Sequence, residues 1–276
     1  MSTVHAVATF IVEQLRTHTT PLVVGLQGPQ GCGKSYTAAR VDQILSERGL
    51  RVAVLSLDDL YLPRAEMEAV GRAHPDNGLL QGRGQPGTHD TQLGTVLLRA
   101  LRTPGEHVDL PAYDKSAHGG LGDRAPSCTR VDTPVDVVIF EGWCLGFVAV
   151  TDDALEARIA ATAAEQPVHV MRTINDTLRE WERVWYPLID VYVQLVPAAA
   201  SGPQRWDVVY AWRLDAEHRM KARNGGRGMC DDDVRAFVQR YIPTYRLYGE
   251  CAGVWPGHTL RLCIGVDRQL LDVEYL

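Results

Sequence analysis

The order of apolar and polar positions predicts alternating helices and strands from the start of the chain. Positions 4–16 carry apolar side chains every three or four residues, a spacing that predicts a helix. An uninterrupted apolar run at 22–26, bounded by glycines, predicts a buried strand of a parallel sheet. We expect a helix at 33–48, ended by Gly49, and a second buried strand at 52–57. The order strand, helix, strand is typical of a doubly wound α/β sheet.

The middle of the chain departs from this pattern. Residues 63–90 and 111–134 are rich in Gly, Pro, His, Asp and Arg and hold few apolar runs, with one predicted helix at 91–102 between them. Loops of this length are uncommon in a compact domain unless they carry function. We therefore interpret about 63–134 as an insertion on the substrate side of the sheet.

The second half of the chain returns to regular patterns. The predicted strands are 135–140, 191–196 and 260–266, the predicted helices are 152–165, 172–186, 206–222 and 231–248, and a glycine-rich turn covers 224–228. Neither an internal repeat nor a clear linker interrupts the chain. We therefore expect residues 1–276 to form one domain, with a helical lid at about 200–230.

Composition and charge narrow the class of protein. The formal charge of the 276 residues is −6, which argues against a non-specific nucleic-acid partner. No apolar run approaches the roughly 18 residues of a transmembrane helix, so no membrane partner is expected. The six cysteines lack C-x-x-C spacing, and we interpret them as reduced thiols. The first residues resemble neither a secretory signal nor a transit peptide, so a cytoplasmic protein is expected.

A phosphate-binding motif lies between the first predicted strand and the helix after it. Positions 28–35 read G-P-Q-G-C-G-K-S, a full match to G-x-x-x-x-G-K-[ST]. The glycines let backbone N–H groups point at phosphate oxygens, and the helix adds its positive N-terminal end. Lys34 would contact the β- and γ-phosphates, and the Ser35 hydroxyl would bind Mg²⁺. The strand–helix context disfavours the alternative of a glycine-rich turn with a solvated lysine. The predicted ATP-binding residues are Gly28, Pro29, Gln30, Gly31, Cys32, Gly33, Lys34, Ser35 and Tyr36.

Carboxylates follow two of the predicted strands. Asp58 and Asp59 come after the strand at 52–57, and Glu141 comes after the strand at 135–140. Ligands of an open α/β sheet bind at the carboxyl ends of its strands. We assign Asp58 as the base that accepts a substrate hydroxyl proton. Ser35, Asp58 and Glu141 are the candidate metal-site residues. The alternatives are a turn-capping role for one aspartate of the pair, Asp59, and a structural role for Glu141.

Missing motifs exclude two classes of P-loop protein. The chain has no N-K-x-D motif, which a GTPase needs to read guanine, and no L-S-G-G-Q signature of an ABC-type ATPase. A small-molecule kinase and a nucleotide-gated module without turnover stay open. The polar residues of the insertion favour the kinase.

Several segments resemble known kinases. Positions 56–61, S-L-D-D-L-Y, are similar to the S-x-D-x-[FL]-Y element of the uridine kinase, phosphoribulokinase and pantothenate kinase group, in which the Asp is the presumed base. Positions 83–90, R-G-Q-P-G-T-H-D, resemble more specifically the R-G-x-P-G-[ST]-H-D loop of the glycerate 3-kinases of plants and fungi. Five further segments of the chain resemble the same family, at 113–116, 122–124, 141–147, 212–217 and 237–245.

This resemblance implies an α/β P-loop NTPase-type fold of three layers with a mainly parallel sheet, an acceptor-binding insertion and a helical lid. It also implies ATP-dependent phosphorylation of D-glycerate to 3-phosphoglycerate. The acceptor is a small anion, so its pocket needs cationic donors. The acceptor-binding residues suggested by the inserted loops are Arg83, His89, Asp90, Tyr113, Lys115 and Arg124. A purely structural role is the alternative for these residues: an ion pair that stiffens a loop for each arginine, a hydrogen bond within a loop for the histidine, and a core position for the tyrosine.

The lid and the identity of the acceptor leave alternatives open. A lid usually closes an Arg or Lys over the phosphates, and Arg213 is our first choice because it belongs to the Trp-Arg element of the family. The other candidate lid cations are Arg219, Lys221, Arg223 and Arg227, with Gly225, Gly226 and Gly228 as candidate hinges. A basic solvated helix face is the alternative. His118 stands where an aromatic residue is expected in this family, which leaves the choice of acceptor open. One alternative is a kinase of the uridine or pantothenate type with another acceptor. The other is a nucleotide-binding regulatory protein without turnover.

Overall fold

The structure is a computed structural model, and it describes most of the chain. The described residues are 1–18, 21–162, 166–198, 203–223, 225–226, 228–250 and 255–276. Within these ranges, no helix combines the length and the apolar composition that crossing a bilayer requires.

Six strands of the described residues form one central sheet. In chain order they are β1 (Leu22–Gln27), β2 (Val52–Ser56), β5 (Val137–Gly142), β6 (Val191–Pro197), β7 (Thr259–Ile264) and β8 (Leu270–Tyr275). Their order across the sheet is β2-β5-β1-β6-β7-β8. The first five are parallel, and only β8 pairs antiparallel, with β7. The predicted mainly parallel sheet is therefore confirmed.

Helices cover both faces of this sheet. The described helices are α1 (Thr3–Gln14), α2 (Lys34–Ser46), α3 (Arg64–Ala73), α4 (Thr91–Leu101), α5 (Asp152–Thr162), α6 (Val168–Val184), α7 (Val208–Arg223), α8 (Asp231–Gln239) and α9 (Ile242–Tyr248). Successive residues of β1 point to opposite faces. Leu22 and Val24 join an apolar cluster with α1 and α2, whereas Val23 joins a second cluster with α4 and α6. The sheet is thus the middle of three layers.

The segment interpreted as an insertion, 63–134, is more regular than the sequence suggested. Residues 63–90 contain helix α3, and residues 111–134 belong mainly to an antiparallel hairpin, β3 (His107–Asp114) with β4 (Asp123–Asp132). The interpretation as loops was therefore wrong for 64–73 and for most of 111–134, whereas 74–90 contains only a short 3-10 turn at Gly78–Leu80. Most of β4 is exposed, so its sequence lacks the apolar alternation by which a half-buried strand is detected.

Two boundaries in the second half also need correction. The helix expected at 231–248 is two helices, α8 and α9, separated at Arg240 and Tyr241. Pro243 lies in the first turn of α9, where its missing N–H is tolerated, whereas in a continuous helix it would clash with the preceding turn. The predicted last strand is followed by β8, which was missed because four of its six residues are exposed.

Candidate active site

The phosphate loop occupies the turn between β1 and α2, as the motif requires. Gly31 and Gly33 have left-handed backbones, with φ of +74° and +101°. A Cβ at Gly31 would also lie 2.5 Å from the carbonyl carbon of Trp212 in α7. Glycine is therefore needed at position 31 both for the backbone conformation and for the close approach of α7.

Lys34, Ser35 and Glu141 come together at the ends of β1 and β5. These strands are parallel neighbours, so their carboxyl ends meet at one edge of the sheet. The Ser35 and Ser56 hydroxyls both donate to Glu141 Oε1, at 2.8 and 3.0 Å. Lys34 Nζ lies 3.9 Å from Glu141 Oε2. Burial opposes the charge of Lys34, but the carboxylates of Glu141 and Asp58 outweigh burial and raise its pKa, so the lysine is charged.

The residues of this corner fit a Mg²⁺ ion. Hard cations prefer oxygen ligands, and the corner supplies the Ser35 hydroxyl and the Glu141 carboxylate. Glu141 is 5% exposed, and its Oε2 is buried without a hydrogen-bond partner in the described part of the chain. A buried carboxylate oxygen left in this state is suited to bind a cation or a metal-bound water.

Asp58 lies in the short turn after β2 (Leu57–Leu60), with both carboxylate oxygens engaged. The Tyr61 hydroxyl donates to Oδ1 at 3.2 Å, and Lys115 Nζ contacts Oδ2 at 2.5 Å. Burial opposes ionisation, but the charges of Lys115 and Lys34 outweigh burial and hold the pKa of Asp58 well below its usual range. The carboxylate is therefore ionised at neutral pH, as a proton acceptor must be. The assignment of Asp58 to the metal site stays a prediction.

Asp59 has a different role from its neighbour. Its Oδ1 accepts a hydrogen bond from the backbone N–H of Tyr113 at 3.0 Å. Asp59 thus ties the β3–β4 hairpin to the end of β2. This is a structural role, but the bond holds a strand of the hairpin, and the turn-capping role of Asp59 stays a prediction.

Four of the predicted acceptor residues surround Tyr61. The ring of His89 stacks on Tyr61 with centroids 4.5 Å apart, and Tyr113 packs edge-on at 5.2 Å. Arg124 Nη2 donates to the Tyr61 carbonyl and to Asp90 Oδ2, both at 3.2 Å. We call these five residues the Tyr61 cluster. Tyr61 itself was not assigned to the site, although it ends the S-x-D-x-[FL]-Y element that contains Asp58.

The Tyr61 cluster presents polar atoms that no described residue satisfies. Both ring nitrogens of His89, the Tyr113 hydroxyl and Arg124 Nε are buried without a hydrogen-bond partner among the described residues. Burial lowers the pKa of His89 to about 3, so its imidazole is neutral and can both donate and accept. Unpaired buried polar groups cost about 1–3 kcal/mol each. A small polar ligand that paired them would recover this free energy.

The other predicted cations of the insertion contact protein groups. Arg83 Nη1 donates to the carbonyls of Gly120 and Leu121, at 2.7 and 2.6 Å, and so holds the loop between β3 and β4. His118 in the same loop has φ of +52° and pairs with Asp123 at 3.2 Å. Lys115 contacts Asp58, as described above. The acceptor roles of Arg83 and Lys115 stay predictions.

Arg213 projects from α7 and forms an ion pair inside the same helix. Its Nη2 lies 2.7 Å from Oε2 of Glu217, whose side chain is 1% exposed, and its guanidinium lies 5.6 Å from the centre of the Phe237 ring. Arg219 also pairs within α7, and Arg227 lies outside the described residues. The role of Arg213 as the lid cation stays a prediction.

Two residues that sequence reasoning missed contact the phosphate loop from outside its motif. The Tyr245 hydroxyl accepts a hydrogen bond from the Gln30 N–H at 3.0 Å, and Arg268 Nε donates to the Gly31 carbonyl at 2.6 Å. Tyr245 lies in a segment that resembles the glycerate 3-kinases, and this resemblance could have marked it as a candidate site residue. Arg268 follows the last resembling segment and carried no such signal.

Comparison with known proteins gives the family. No family model matches the chain. The solved structure of D-glycerate 3-kinase from Cryptococcus neoformans var. grubii is similar over 100% of both chains, with 36% identity and a TM-score of 0.91. The uncharacterized kinase mug58 of Schizosaccharomyces pombe is 37% identical over 243 residues, which are 87% of this chain and 85% of the relative.

A plant relative is longer than this chain. The chloroplastic D-glycerate 3-kinase of Arabidopsis thaliana is 36% identical over 233 residues, which are 83% of this chain, and this chain spans about half (48%) of the relative's length. The predicted α/β P-loop kinase fold is confirmed by the full-length match to the Cryptococcus structure. The chain belongs to the D-glycerate 3-kinase family.

Proposed function

We propose that this protein transfers the γ-phosphoryl group of ATP, in the presence of Mg²⁺, to a hydroxyl of D-glycerate, giving 3-phosphoglycerate. The observation that carries the proposal is the position of Asp58. Its charge acts on Lys34 of the phosphate loop, while its carboxylate accepts a hydrogen bond from Tyr61 at the centre of the Tyr61 cluster. The ionised carboxylate of Asp58 thus interacts both with the phosphate loop and with a cluster that holds unpaired polar groups, which supports a kinase reaction with Asp58 as the base.

On the nucleotide side, the chain supplies charge and orientation. The loop N–H groups and the N-terminus of α2 hold phosphate oxygens, and charged Lys34 neutralises the β- and γ-phosphates. Mg²⁺, when bound, would neutralise the negative charge of the phosphates, and Ser35 and Glu141 are the residues that would hold it. Ser56 shares Glu141 Oε1 with Ser35 and so orients the carboxylate.

On the acceptor side, the Tyr61 cluster matches a small hydroxy acid. Arg124 has a charged guanidinium with a buried, unpaired Nε, which suits a carboxylate. Neutral His89 and the Tyr113 hydroxyl can hydrogen-bond substrate hydroxyls. The attacking hydroxyl would give its proton to Asp58 as its oxygen bonds to the γ-phosphorus, and ADP would leave with the electrons of the broken P–O bond.

The charge around the base favours an anionic acceptor over an uncharged nucleoside. Lys115 and Arg124 both lie within the insertion near Asp58 and Tyr61. The aromatic faces of the cluster are used within the protein, because Tyr61 stacks on His89 and His89 packs against Trp181. A nucleoside pocket would need a free aromatic face on which the nucleobase of the substrate could stack. The cytoplasm is the proposed location of the reaction.

The test is ADP release from Mg-ATP with purified protein, measured separately with D-glycerate, L-glycerate, uridine, pantothenate and ribulose 5-phosphate. Lys34→Ala removes the cation of the phosphate loop, and Arg48→Ala, at an exposed position after α2, is the matched control. We expect turnover with D-glycerate that Lys34→Ala abolishes and Arg48→Ala retains, and 3-phosphoglycerate as the product by phosphorus NMR. Turnover with another acceptor alone would refute D-glycerate, and ADP binding without turnover on any acceptor would refute the kinase assignment for this panel.

A further inference from the structure

Arg268 lies in the tight turn between β7 and β8, far from the phosphate motif in sequence. Its φ of +62° is left-handed, a conformation that costs a non-glycine residue roughly 1–3 kcal/mol. The backbone here therefore adopts a conformation that most side chains avoid. The surrounding contacts have to hold it, and the side chain of Arg268 makes several of them.

The guanidinium of Arg268 joins three groups from two other elements. Nε donates to the Gly31 carbonyl of the phosphate loop at 2.6 Å, and Nη2 donates to the Trp212 carbonyl of α7 at 3.0 Å. Nη1 pairs with Asp215 Oδ2, one turn further along α7, at 2.7 Å. The arginine side chain is 25% exposed. One planar cation therefore connects the loop to the helix that carries Arg213.

The loop and the helix are in direct contact where Arg268 connects them. A Cβ on Gly31 would lie 2.5 Å from the Trp212 carbonyl oxygen and 2.8 Å from the Arg213 nitrogen. Trp212 is also tied to the β7–β8 turn, because its indole Nε1 donates to the Val266 carbonyl at 2.7 Å. The turn, the loop and this part of α7 therefore form one packed unit.

The direction of the Gly31 carbonyl matters for the loop. A planar peptide bond joins this carbonyl to the N–H of Cys32, so fixing one fixes the other. That N–H donates to the Pro29 carbonyl at 3.2 Å and closes the turn of the loop. Tyr245 holds the preceding Gln30 N–H. The outer side of the loop is thus held by the side chains of Tyr245 and Arg268, which act on its curvature.

Electrostatics distinguishes this role from direct phosphate binding. Burial raises the pKa of Asp215, but hydrogen bonds and charges from Arg268 and Arg219 outweigh it and hold the pKa below its usual range. The Arg268–Asp215 pair is therefore charged on both sides at neutral pH and has little net charge. The hydrogen bonds from Arg268 to the Gly31 and Trp212 carbonyls have a charged donor, and such bonds are stronger than those between neutral groups.

We propose that Arg268 is a positioning residue of the nucleotide site, which sets the shape of the phosphate loop and fixes the loop-contacting part of α7 by bridging the Gly31 and Trp212 carbonyls. The inference rests on the proposed nucleotide site but not on the identity of the acceptor. It also gives α7 one fixed point at Trp212, next to Arg213. The left-handed glycines Gly225, Gly226 and Gly228 lie beyond the other end of this helix.

The test separates the carbonyl bridge from the ion pair and from general stability. Arg268→Met removes all three contacts, whereas Arg268→Lys keeps a charge that can reach fewer of them. Asp215→Asn removes the ion pair and leaves both carbonyl contacts. Arg261→Met changes an arginine of the neighbouring strand β7 and is the matched control. The readouts are the ADP dissociation constant by calorimetry, the thermal midpoint, and separate KM values for ATP and D-glycerate.

We expect Arg268→Met to weaken ADP binding and raise the KM for ATP about tenfold, the order expected for losing charge-assisted hydrogen bonds. The KM for D-glycerate should be unchanged. Arg268→Lys should be intermediate, and Asp215→Asn and Arg261→Met should stay within about twofold of the unmodified protein, since both keep the contacts of Arg268 with the Gly31 and Trp212 carbonyls.

Two results would overturn the proposal. The first is a folded Arg268→Met variant with unchanged ADP affinity. The second is a loss of affinity in Asp215→Asn as large as that in Arg268→Met, which would assign the effect to the ion pair. If Arg268→Met does not fold, Arg268→Lys decides by the same comparison with Arg261→Met. An Arg268-dependent ADP affinity in a protein that turns over no acceptor would support the bridge and reject the proposed kinase reaction.

Discussion

His89 couples the stability of the insertion to pH. It is 5% exposed, and burial lowers the pKa of its imidazole from 6.5 to about 3. Between these two values the unfolded chain binds a proton that the folded protein does not. Stability therefore rises with pH in this window and is lost as pH falls from 6.5 towards 3. Below the folded pKa both states are protonated, and the loss stops growing.

The size of the effect follows from the two pKa values. At about pH 5, the unfolded chain gains about 2 kcal/mol from protonating this histidine, whereas at about pH 7 it gains almost nothing. For a protein of this length, about 2 kcal/mol corresponds to a shift of roughly 3 °C in the thermal midpoint. Other groups titrate as well, so the difference between variants is the informative quantity.

The assay compares thermal midpoints at about pH 7 and pH 5. His89→Phe removes the ring nitrogens but keeps an aromatic ring to pack against Tyr61 and Trp181. His169→Phe, at an exposed position of α6, is the control. On acidification, the unmodified protein and the control should each lose about 3 °C more than His89→Phe. Equal losses in all three proteins would refute the reasoning, because His89 would then titrate alike in the folded and unfolded states.

Three further predictions concern the base and the phosphate loop. Asp58→Asn should lower kcat by about a hundredfold or more while ADP affinity by calorimetry is retained, and an unchanged kcat would refute its role as base. Lys115→Met removes a charge that depresses the pKa of Asp58, so the acidic limb of the kcat/KM profile should move to higher pH; an unmoved limb would contradict this. Tyr245→Phe leaves the Gln30 N–H without its acceptor and should cost about 1–3 kcal/mol in urea unfolding, whereas exposed Tyr275→Phe should cost little, and equal costs would count against the contact.

Sequence reasoning succeeded where the information is local. The apolar runs at 22–26, 135–140 and 191–196 become buried parallel strands, because a strand covered on both faces needs apolar residues at every position. The phosphate motif is contiguous and folds between its own strand and helix. The meeting of Ser35 with Glu141 also followed from the sequence, since carboxyl ends of parallel strands lie at one edge of the sheet.

The sequence was misleading for strands that are largely exposed and for a helical pattern that a proline divides into two helices. The β3–β4 hairpin and β8 are largely exposed, so polar residues occupy positions that a buried strand would fill with apolar ones. Helix periodicity continued through Arg240 and Tyr241, but Pro243 placed the start of a new helix there.

The sequence by itself determined the phosphate site, the parallel sheet and the residue types available for catalysis. Only the tertiary structure decided which of these residues meet. Lys115 contacts Asp58 from 57 positions away, and Arg268 reaches the Gly31 carbonyl from 237 positions away. Such contacts depend on how the layers and hairpins pack, and neither side-chain periodicity nor a contiguous motif carries that information. Hydrophobic patterning places the elements, whereas the directional polar contacts that assemble the site arise only once those elements have packed.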